Sequence, residues 1–356
     1  MATVDYKREL HDLIEILRAE KGSDLHLSTG SHPVVRVTGS LIPLIKKPIL
    51  TNHDVDEFAK VLMNADRYKH YTDTFEVDFS YAHADGVRFR GNGFFQNGTR
   101  AIALRLIPEK VRTLAELGLP PILETFVQRP QGFFLCVGPV GQGKSTTLAA
   151  MVEIINQTRS EHIVTVEDPI EYIYEQKKSL IVQREIGIDT KSFESALNAV
   201  FRQDVNVILV GEMRNPETIA TAVTAAETGH LVLSTLHTNN AAQTIDRIID
   251  SFAAAQQGQI RAQLAGSLAG IFSQRLIPAI AGGLVPAYEL LINNSAVANL
   301  IRENRTHEIQ TIIETGLEQG MIDMNRSLAQ MVRDGIITVE NAFAYSVNPK
   351  GLERIM

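Results

Sequence analysis

The sequence predicts a protein of the α/β class with two domains, a small α+β domain followed by a larger domain built on a mostly parallel sheet. Its length of 356 residues exceeds that of one typical domain. Residues 1–107 contain stretches in which apolar and polar residues alternate, as in strands with one buried face. Beyond residue 122, short apolar runs without alternation separate helical patterns, which is typical of strands buried on both faces.

The first domain is predicted over residues 1–107 and begins with a helix. Apolar residues recur at helical spacing over residues 6–21, and Gly22 ends the pattern. Two short strands follow near residues 25–28 and 35–37. The remaining predicted elements are a helix near 55–68 and strands at 75–81, 87–95 and 100–107, with turns at Asp85-Gly86 and Asn97-Gly98.

A linker at residues 108–121 is predicted to lead into the second domain, residues 122–356. Prolines stand at both ends of the linker, and it has little regular pattern. The second domain should contain buried strands at 133–137, 163–166, 207–210 and 231–236. From about residue 260 helical patterns dominate, interrupted by an apolar stretch at 284–292.

Composition and charge exclude several classes of protein. The net charge of −7 argues against a surface that follows a nucleic-acid backbone. The single cysteine, Cys136, excludes an internal disulfide and a zinc site of paired cysteines, and it fits a reducing cytosol. No run approaches the roughly 20 apolar residues of a membrane span, and no leader pattern precedes the first helix. We therefore expect a cytoplasmic protein.

A glycine-rich pattern between the strand at 133–137 and a helix at 145–156 predicts a phosphate-binding loop. The pattern consists of Gly138, Pro139, Val140, Gly141, Gln142, Gly143, Lys144 and Ser145. Glycines let backbone N–H groups converge on phosphate oxygens at the start of a helix. Lys144 should reach the β- and γ-phosphates, Ser145 should bind Mg²⁺, and Thr146 should lie near the α-phosphate. The expected ligands are ATP and Mg²⁺.

Two glutamates that follow buried strands are candidate catalytic carboxylates. Glu167 follows the strand at 163–166, and Glu212 follows the strand at 207–210. Ligands of α/β sheets bind at the carboxyl ends of the strands. We prefer Glu212 as the carboxylate beside the magnesium water and Glu167 as the residue that orients the attacking water, although the two roles could exchange. For either residue alone, capping of the next segment is the alternative.

Two histidines, His230 and His237, bracket the strand at 231–236. A straight strand separates them by about 23 Å, so they cannot share a metal ion. His237 stands at the carboxyl end and could sense the γ-phosphate. His230 stands at the other end, where packing or contact with a neighbouring subunit is expected.

Arginines of the first domain are candidates for neutralising charge in a neighbouring active site. Arg88 and Arg90 share one face of their predicted strand, and Arg105 lies on the last strand before the linker. A solvated strand face is the alternative interpretation. In the second domain, Asn215 is predicted to cap a helix that Gly229 ends.

The order of these motifs resembles the secretion ATPase superfamily, and most of all the type IV pilus retraction ATPases, the PilT family. The matching segments are the phosphate loop and residues 166–171, 183–187, 210–214 and 228–238. The resemblance implies a PAS-like first domain, a RecA-like ATPase domain and a hexameric ring. It also implies an acidic box of Glu167, Asp168 and Glu171, a histidine box of His230 and His237, and first-domain arginines that act in trans.

The absence of a four-cysteine zinc insert and of an extra N-terminal domain favours pilus retraction over assembly or type II secretion. The family's expected partners are an inner-membrane platform protein, which would place the chain at that membrane's inner face, and a retraction paralogue. Departures from the family at Asn198, Asn206 and Ala298 favour an accessory paralogue as the alternative. Val140 and Gln142 also depart, replacing the usual Thr and Ser.

A nucleic-acid-binding RecA-like protein is the alternative of a different class, and its DNA binding would depend steeply on salt.

Overall fold

The computed structural model describes residues 4–108 and 110–356, which form two compact units. Unit 1 consists of the described residues of Met1–Lys110 together with the short segment Pro169–Ile173. Unit 2 consists of Val111–Asp168 and Tyr174–Met356. The α/β fold class predicted from the sequence is confirmed, because each unit combines one sheet with helices.

Unit 1 contains three helices and one sheet among its described residues. The elements in chain order are α1 (Tyr6–Ala19), β1 (Asp24–Ser28), β2 (Val34–Val37), β3 (Ser40–Pro43), α2 (Asn52–Leu62), α3 (Ala65–Thr74), β4 (Glu76–Ala82), β5 (Arg88–Gln96) and β6 (Thr99–Leu106). The strands follow the order β3-β2-β1-β6-β5-β4, and all neighbours are antiparallel.

The turn predicted at Asn97-Gly98 is confirmed. Its two residues have φ of 49° and 73°, and Gln96 pairs with Thr99 across it. Positive φ at both central positions is the geometry of a two-residue hairpin, and asparagine and glycine tolerate it best. The turn therefore fixes the register of β5 against β6.

The single helix predicted near residues 55–68 is wrong in its bounds, because the structure has α2 and α3 instead. Met63 is extended, with φ −112° and ψ 146°, and Asn64 caps α3 by accepting a hydrogen bond from the N–H of Arg67 at 2.9 Å. Asparagine competes with the helical backbone for hydrogen bonds and favours such caps. The break lets Tyr71 of α3 bury its ring in the core of unit 1.

Unit 2 has a central sheet of seven strands with helices around it. Its first elements are α4 (Leu123–Val127), β7 (Gly132–Val137), α5 (Lys144–Thr158), β8 (His162–Glu167), β9 (Leu180–Glu185), α6 (Phe193–Val200), β10 (Val207–Val210), α7 (Pro216–Glu227) and β11 (Leu231–Leu236). The later elements are α8 (Ala241–Asp250), α9 (Ala254–Ser267), β12 (Leu268–Pro278), β13 (Leu284–Ile292), α10 (Ser295–Arg302), α11 (Ile309–Thr315), α12 (Met324–Arg333), α13 (Val339–Tyr345) and α14 (Pro349–Glu353).

The sheet of unit 2 follows the order β13-β12-β7-β11-β10-β8-β9. Every neighbouring pair is parallel except β12 with β13. All residues of β7, β10 and β11 are buried, which explains why these strands are apolar without alternation. Because the strands are parallel, the carboxyl ends of β7, β8, β10 and β11 meet at one edge of the sheet.

The helical character predicted from about residue 260 is wrong for residues 268–278, which form strand β12 of an antiparallel hairpin with β13. The first part of β12 runs between β7 and β13 and is buried on both faces, so its apolar residues show no period of two. At Gly270 a Cβ would lie 2.8 Å from the carbonyl oxygen of Leu291. Glycine at this position thus permits the close pairing of the two strands.

Helices dominate unit 2 after this hairpin. Side chains of α12, α13 and α14 pack against it in a small apolar cluster that includes Ile277, Ala287, Leu328, Ala342 and Leu352. In the part of the chain that the structure describes, no helix has the length and apolarity needed to cross a lipid bilayer.

Candidate active site

The glycine-rich loop of unit 2 joins β7 to α5, as the sequence predicts. Gly138, Gly141 and Gly143 have φ of 147°, 78° and 79°, which only glycine adopts without strain. A Cβ at position 138 would lie 2.4 Å from the backbone oxygen of Gln274 on β12. The order of strand, glycine loop and helix is that of phosphate-binding loops, and we call residues 138–145 the phosphate loop.

The ammonium group of Lys144 lies inside the phosphate loop. Its Nζ donates hydrogen bonds to the carbonyl oxygens of Gly138 and Pro139, both at 2.8 Å, and lies 3.3 Å from Nδ1 of His237. The residue is 7% exposed although it carries a charge. A buried ammonium group ringed by backbone at a helix N-terminus has the chemistry to bind phosphate.

His237 joins the phosphate loop to Glu212. Because an ammonium group only donates, Nδ1 of His237 accepts from Lys144, and Nε2 carries the proton. Nε2 of His237 lies 3.2 Å from Oε1 of Glu212. The other oxygen of Glu212 accepts from Nε of Arg214 at 2.9 Å. A continuous polar contact therefore runs from the loop lysine to the carboxylate at the end of β10.

Glu167 is the last residue of β8. It lies beside Gly211, the residue that precedes Glu212. The N–H of Gly211 donates to the carbonyl oxygen of Val166 at 2.9 Å. A Cβ at position 211 would lie 3.6 Å from Cγ of Glu167. Glu167 is 7% exposed, whereas the side chain of Glu212 is 25% exposed. The structure thus places both predicted glutamates at the carboxyl edge of the sheet, in different environments.

The acidic box predicted from the resemblance is divided between the two units. Asp168 is exposed at the end of a segment of unit 2, whereas Glu171 belongs to the short segment of unit 1. There Oε1 of Glu171 lies 3.4 Å from Nη1 of Arg90.

The candidate arginines all lie in unit 1. Arg88 and Arg90 are on β5 and flank the fully buried Phe89. On β6, Arg105 donates from Nε to Oδ1 of Asp24 at 2.8 Å. Their action in a neighbouring site stays a prediction.

His230 lies at the opposite end of β11 from His237, as the strand length predicts. Its Nδ1 lies 3.0 Å from the carbonyl oxygen of Ala225, and its ring meets that of Phe201 edge to face. Within one chain it does not join the group around the phosphate loop. Through these contacts His230 packs against the C-terminal end of α7.

Ser145 and Thr146 lie in the first turn of α5, half-buried. The described residues contain no group of three or more His, Cys, Asp or Glu side chains that could hold a metal ion. Mg²⁺ in phosphate-loop sites is bound by one hydroxyl, substrate phosphates and waters, so such a cluster is not needed. A hydroxyl at Ser145 and a carboxylate at Glu212 fit a site of this kind.

Two buried polar residues near the site were missed by the sequence analysis. Gln274 on β12 contacts the phosphate loop, and Glu289 on β13 accepts a hydrogen bond from the N–H of Ala241 at 2.9 Å, at the start of α8. Burial raises the pKa of Glu289 to about 7, despite that hydrogen bond and the charge of Arg275. Gln274 lies on β12, which the sequence predicts as helical, and Glu289 lies on β13, the strand that pairs with it. The contacts of both residues depend on segments distant in sequence, so no local pattern indicates them.

The sequence profile of the type II/IV secretion system proteins matches residues 8–283. The PilT pilus retraction ATPase of Pseudomonas aeruginosa is 43% identical over 94% of this chain and 97% of its own length. The chain belongs to the type II/IV secretion system protein family. A family member from Neisseria gonorrhoeae, described as a twitching motility protein, is 45% identical over 90% of this chain and 86% of its own length.

A solved structure of the same family supports the fold. The crystal structure of the pilus retraction motor PilT with bound ADP is 45% identical in sequence and superposes with a TM-score of 0.89. The alignment covers 99% of both chains. The predicted resemblance to the PilT group of the family is thereby confirmed.

Proposed function

We propose that this chain is an ATP-hydrolysing motor that powers type IV pilus retraction in twitching motility. The contact from Lys144 through His237 to Glu212 carries the proposal, because it joins a phosphate loop to a strand-end carboxylate. Binding alone needs only the loop, whereas hydrolysis also needs a carboxylate beside the magnesium water, the role preferred for Glu212. Similarity to the retraction ATPases supports the choice of pilus retraction as the work performed.

In the proposed reaction, ATP binds with its phosphates on the phosphate loop. Lys144 would transfer its hydrogen bonds from the carbonyl oxygens of Gly138 and Pro139 to the β- and γ-phosphates. His237 would then lose a donor at Nδ1, so its contact with Glu212 would depend on whether phosphate is bound. This makes His237 a sensor of the γ-phosphate.

Bound Mg²⁺ would neutralise charge on the phosphates, and Ser145 and Glu212 are the residues that would hold it. Glu167 would orient the attacking water. Its burial supports this role, because a hydrogen bond shielded from bulk water is stronger than an exposed one. Exchange of roles between Glu167 and Glu212 is the alternative, and Mg²⁺ affinity distinguishes the two assignments.

The proposed assembly is a hexamer in which Arg88, Arg90 and Arg105 act on the site of a neighbouring subunit. To do so, Arg105 would have to leave Asp24 and Arg90 would have to leave Glu171. His230 would meet the neighbouring subunit.

We further propose a PAS-like domain over residues 1–107, a linker at 108–121 and a RecA-like domain over 122–356. The proposed place of action is the cytoplasmic face of the inner membrane, on the pilus platform protein.

Phosphate release from ATP by the purified Glu212→Gln variant tests the proposed role of Glu212 in hydrolysis. The substitution removes the charge and keeps the shape, so turnover should fall by about a hundredfold or more while the variant still binds ATP. Glu217→Gln is the matched control, since Glu217 is exposed on the first turn of α7. Full turnover in Glu212→Gln would remove this carboxylate from the mechanism.

Surface motility of a deletion strain tests whether the chain powers pilus retraction. A deletion strain should lose twitching and accumulate surface pili, and Glu212→Gln should fail to restore motility where the wild-type chain succeeds. Loss of pili or of secretion on deletion would instead indicate an assembly or type II secretion ATPase. Intact motility would point to an accessory paralogue.

A further inference from the structure

The phosphate loop is held from one side by strand β12. Nε2 of Gln274 donates to the carbonyl oxygen of Gln142 at 2.7 Å, and Oε1 of Gln274 accepts from the hydroxyl of Thr147 at 2.6 Å. Gln274 is 3% exposed and Thr147 is 1% exposed. A single buried amide therefore bridges the loop and the first turns of α5.

A second hydrogen bond joins the same two segments. The pairing of β12 with β7 ends at Ser273, and β12 continues beyond it. The N–H of Leu276 on this continuing part donates to Oε1 of Gln142 at 2.7 Å. Gln142 is thus held by both its backbone oxygen and its side chain.

The bond to the backbone oxygen of Gln142 also sets the direction of an N–H group. In a planar trans peptide, C=O and N–H point in opposite directions. Since the oxygen of Gln142 points to β12, the N–H of Gly143 points away from β12. Gly143 has φ of 79° and little intrinsic resistance to rotation of its peptide, so an external bond is needed to fix this direction.

We propose that Gln274 and Thr147 are positioning residues that hold the N–H of Gly143 in place to donate to phosphate before the nucleotide arrives, with Gln142 as a second anchor. The proposal rests on the proposed ATPase function. Preorganised donors bind more tightly because the loop loses less freedom on binding. Loss of the bridge should therefore weaken nucleotide binding more than it slows the chemical step.

The test compares Thr147→Val with Thr147→Ser in the full chain. Valine keeps the shape and removes the hydroxyl that donates to Gln274, whereas serine keeps the hydroxyl. The Kd of a fluorescent ADP analogue, the KM and kcat for ATP, and the Tm are measured for both variants. Thr147→Val should raise Kd and KM about tenfold, because nucleotide binding must then order a loop that the bridge no longer holds in place, with a change in kcat below about twofold. Thr147→Ser should restore wild-type affinity.

Equal nucleotide affinity in the valine and serine variants would overturn the proposal, whatever happens to the Tm. If Thr147→Val does not fold, Gln142→Met decides, because it removes only the acceptor for the N–H of Leu276. Its Kd should rise severalfold, and an unchanged Kd would overturn the proposal. Failure of the wild-type chain to bind the analogue would instead refute the proposed function.

Discussion

Replacing Glu289 by glutamine should make the stability of the protein less sensitive to rising pH. Burial raises the pKa of this carboxyl from 4.5 to about 7, and the charges of Asp323 and Glu314 add to the rise. The hydrogen bond from the N–H of Ala241 and the charge of Arg275 oppose it. Glutamine keeps an oxygen for the N–H of Ala241 and has no charge to bury.

The sign and size of this change in stability with pH follow from proton linkage. A carboxyl whose pKa is raised in the folded state holds its proton there while the unfolded chain releases it, so stability falls as pH rises from 4.5 to about 7. With these values the loss is about 2.5 kcal/mol between about pH 5 and about pH 8. For a domain of the size of unit 2, this corresponds to a Tm shift of about 5–10 °C.

The assay is thermal unfolding at several pH values and one protein concentration, since assembly also affects the Tm. The difference in Tm between Glu289→Gln and wild type should grow in favour of the variant by about 5–10 °C from about pH 5 to about pH 8. Exposed Glu318→Gln is the control and should show no such trend. A pH-independent difference for Glu289→Gln would refute the reasoning.

Three further predictions test other parts of the structure. Gly138→Ala should lower the Tm by several degrees more than Gly141→Ala, because only at 138 would the new Cβ meet backbone, the oxygen of Gln274 at 2.4 Å; equal effects would contradict this. Asn215→Ala should lose about 1 kcal/mol of stability, measured by denaturant unfolding, through loss of the helix cap, whereas Asn215→Asp should keep the cap. Cys136 is buried, which raises its pKa to about 12, so a chromogenic disulfide reagent should react with it only after unfolding; rapid labelling of the native chain would contradict its burial.

The parts of the site that depend on local sequence could be predicted. The phosphate loop, the helix cap at Asn215 and the position of His237 each follow from residue types within one short segment. The cap is confirmed, since Oδ1 of Asn215 accepts from the N–H of Thr218 at 2.9 Å. Parallel strands then bring the ends of these segments to one edge of the sheet, which is why Glu212 lies beside His237.

The contacts that depend on distant segments could not be predicted. Gln274 bonds to Thr147 across 127 positions of sequence, and nothing in either segment indicates the partner. Strand β12 is buried on both faces, so its pattern does not differ from that of a buried helix. The pKa of Glu289 depends likewise on the neighbours that the hairpin brings to it.

Steady-state phosphate release from ATP by the wild-type chain and by Lys144→Ala tests the central claim most directly. Lys144 is the charged centre of the phosphate loop, so its removal should abolish turnover and weaken nucleotide binding. Lys178→Ala, at an exposed lysine of the same unit, should retain wild-type turnover. Undiminished ATP hydrolysis by Lys144→Ala would contradict the assignment of this loop as the active site.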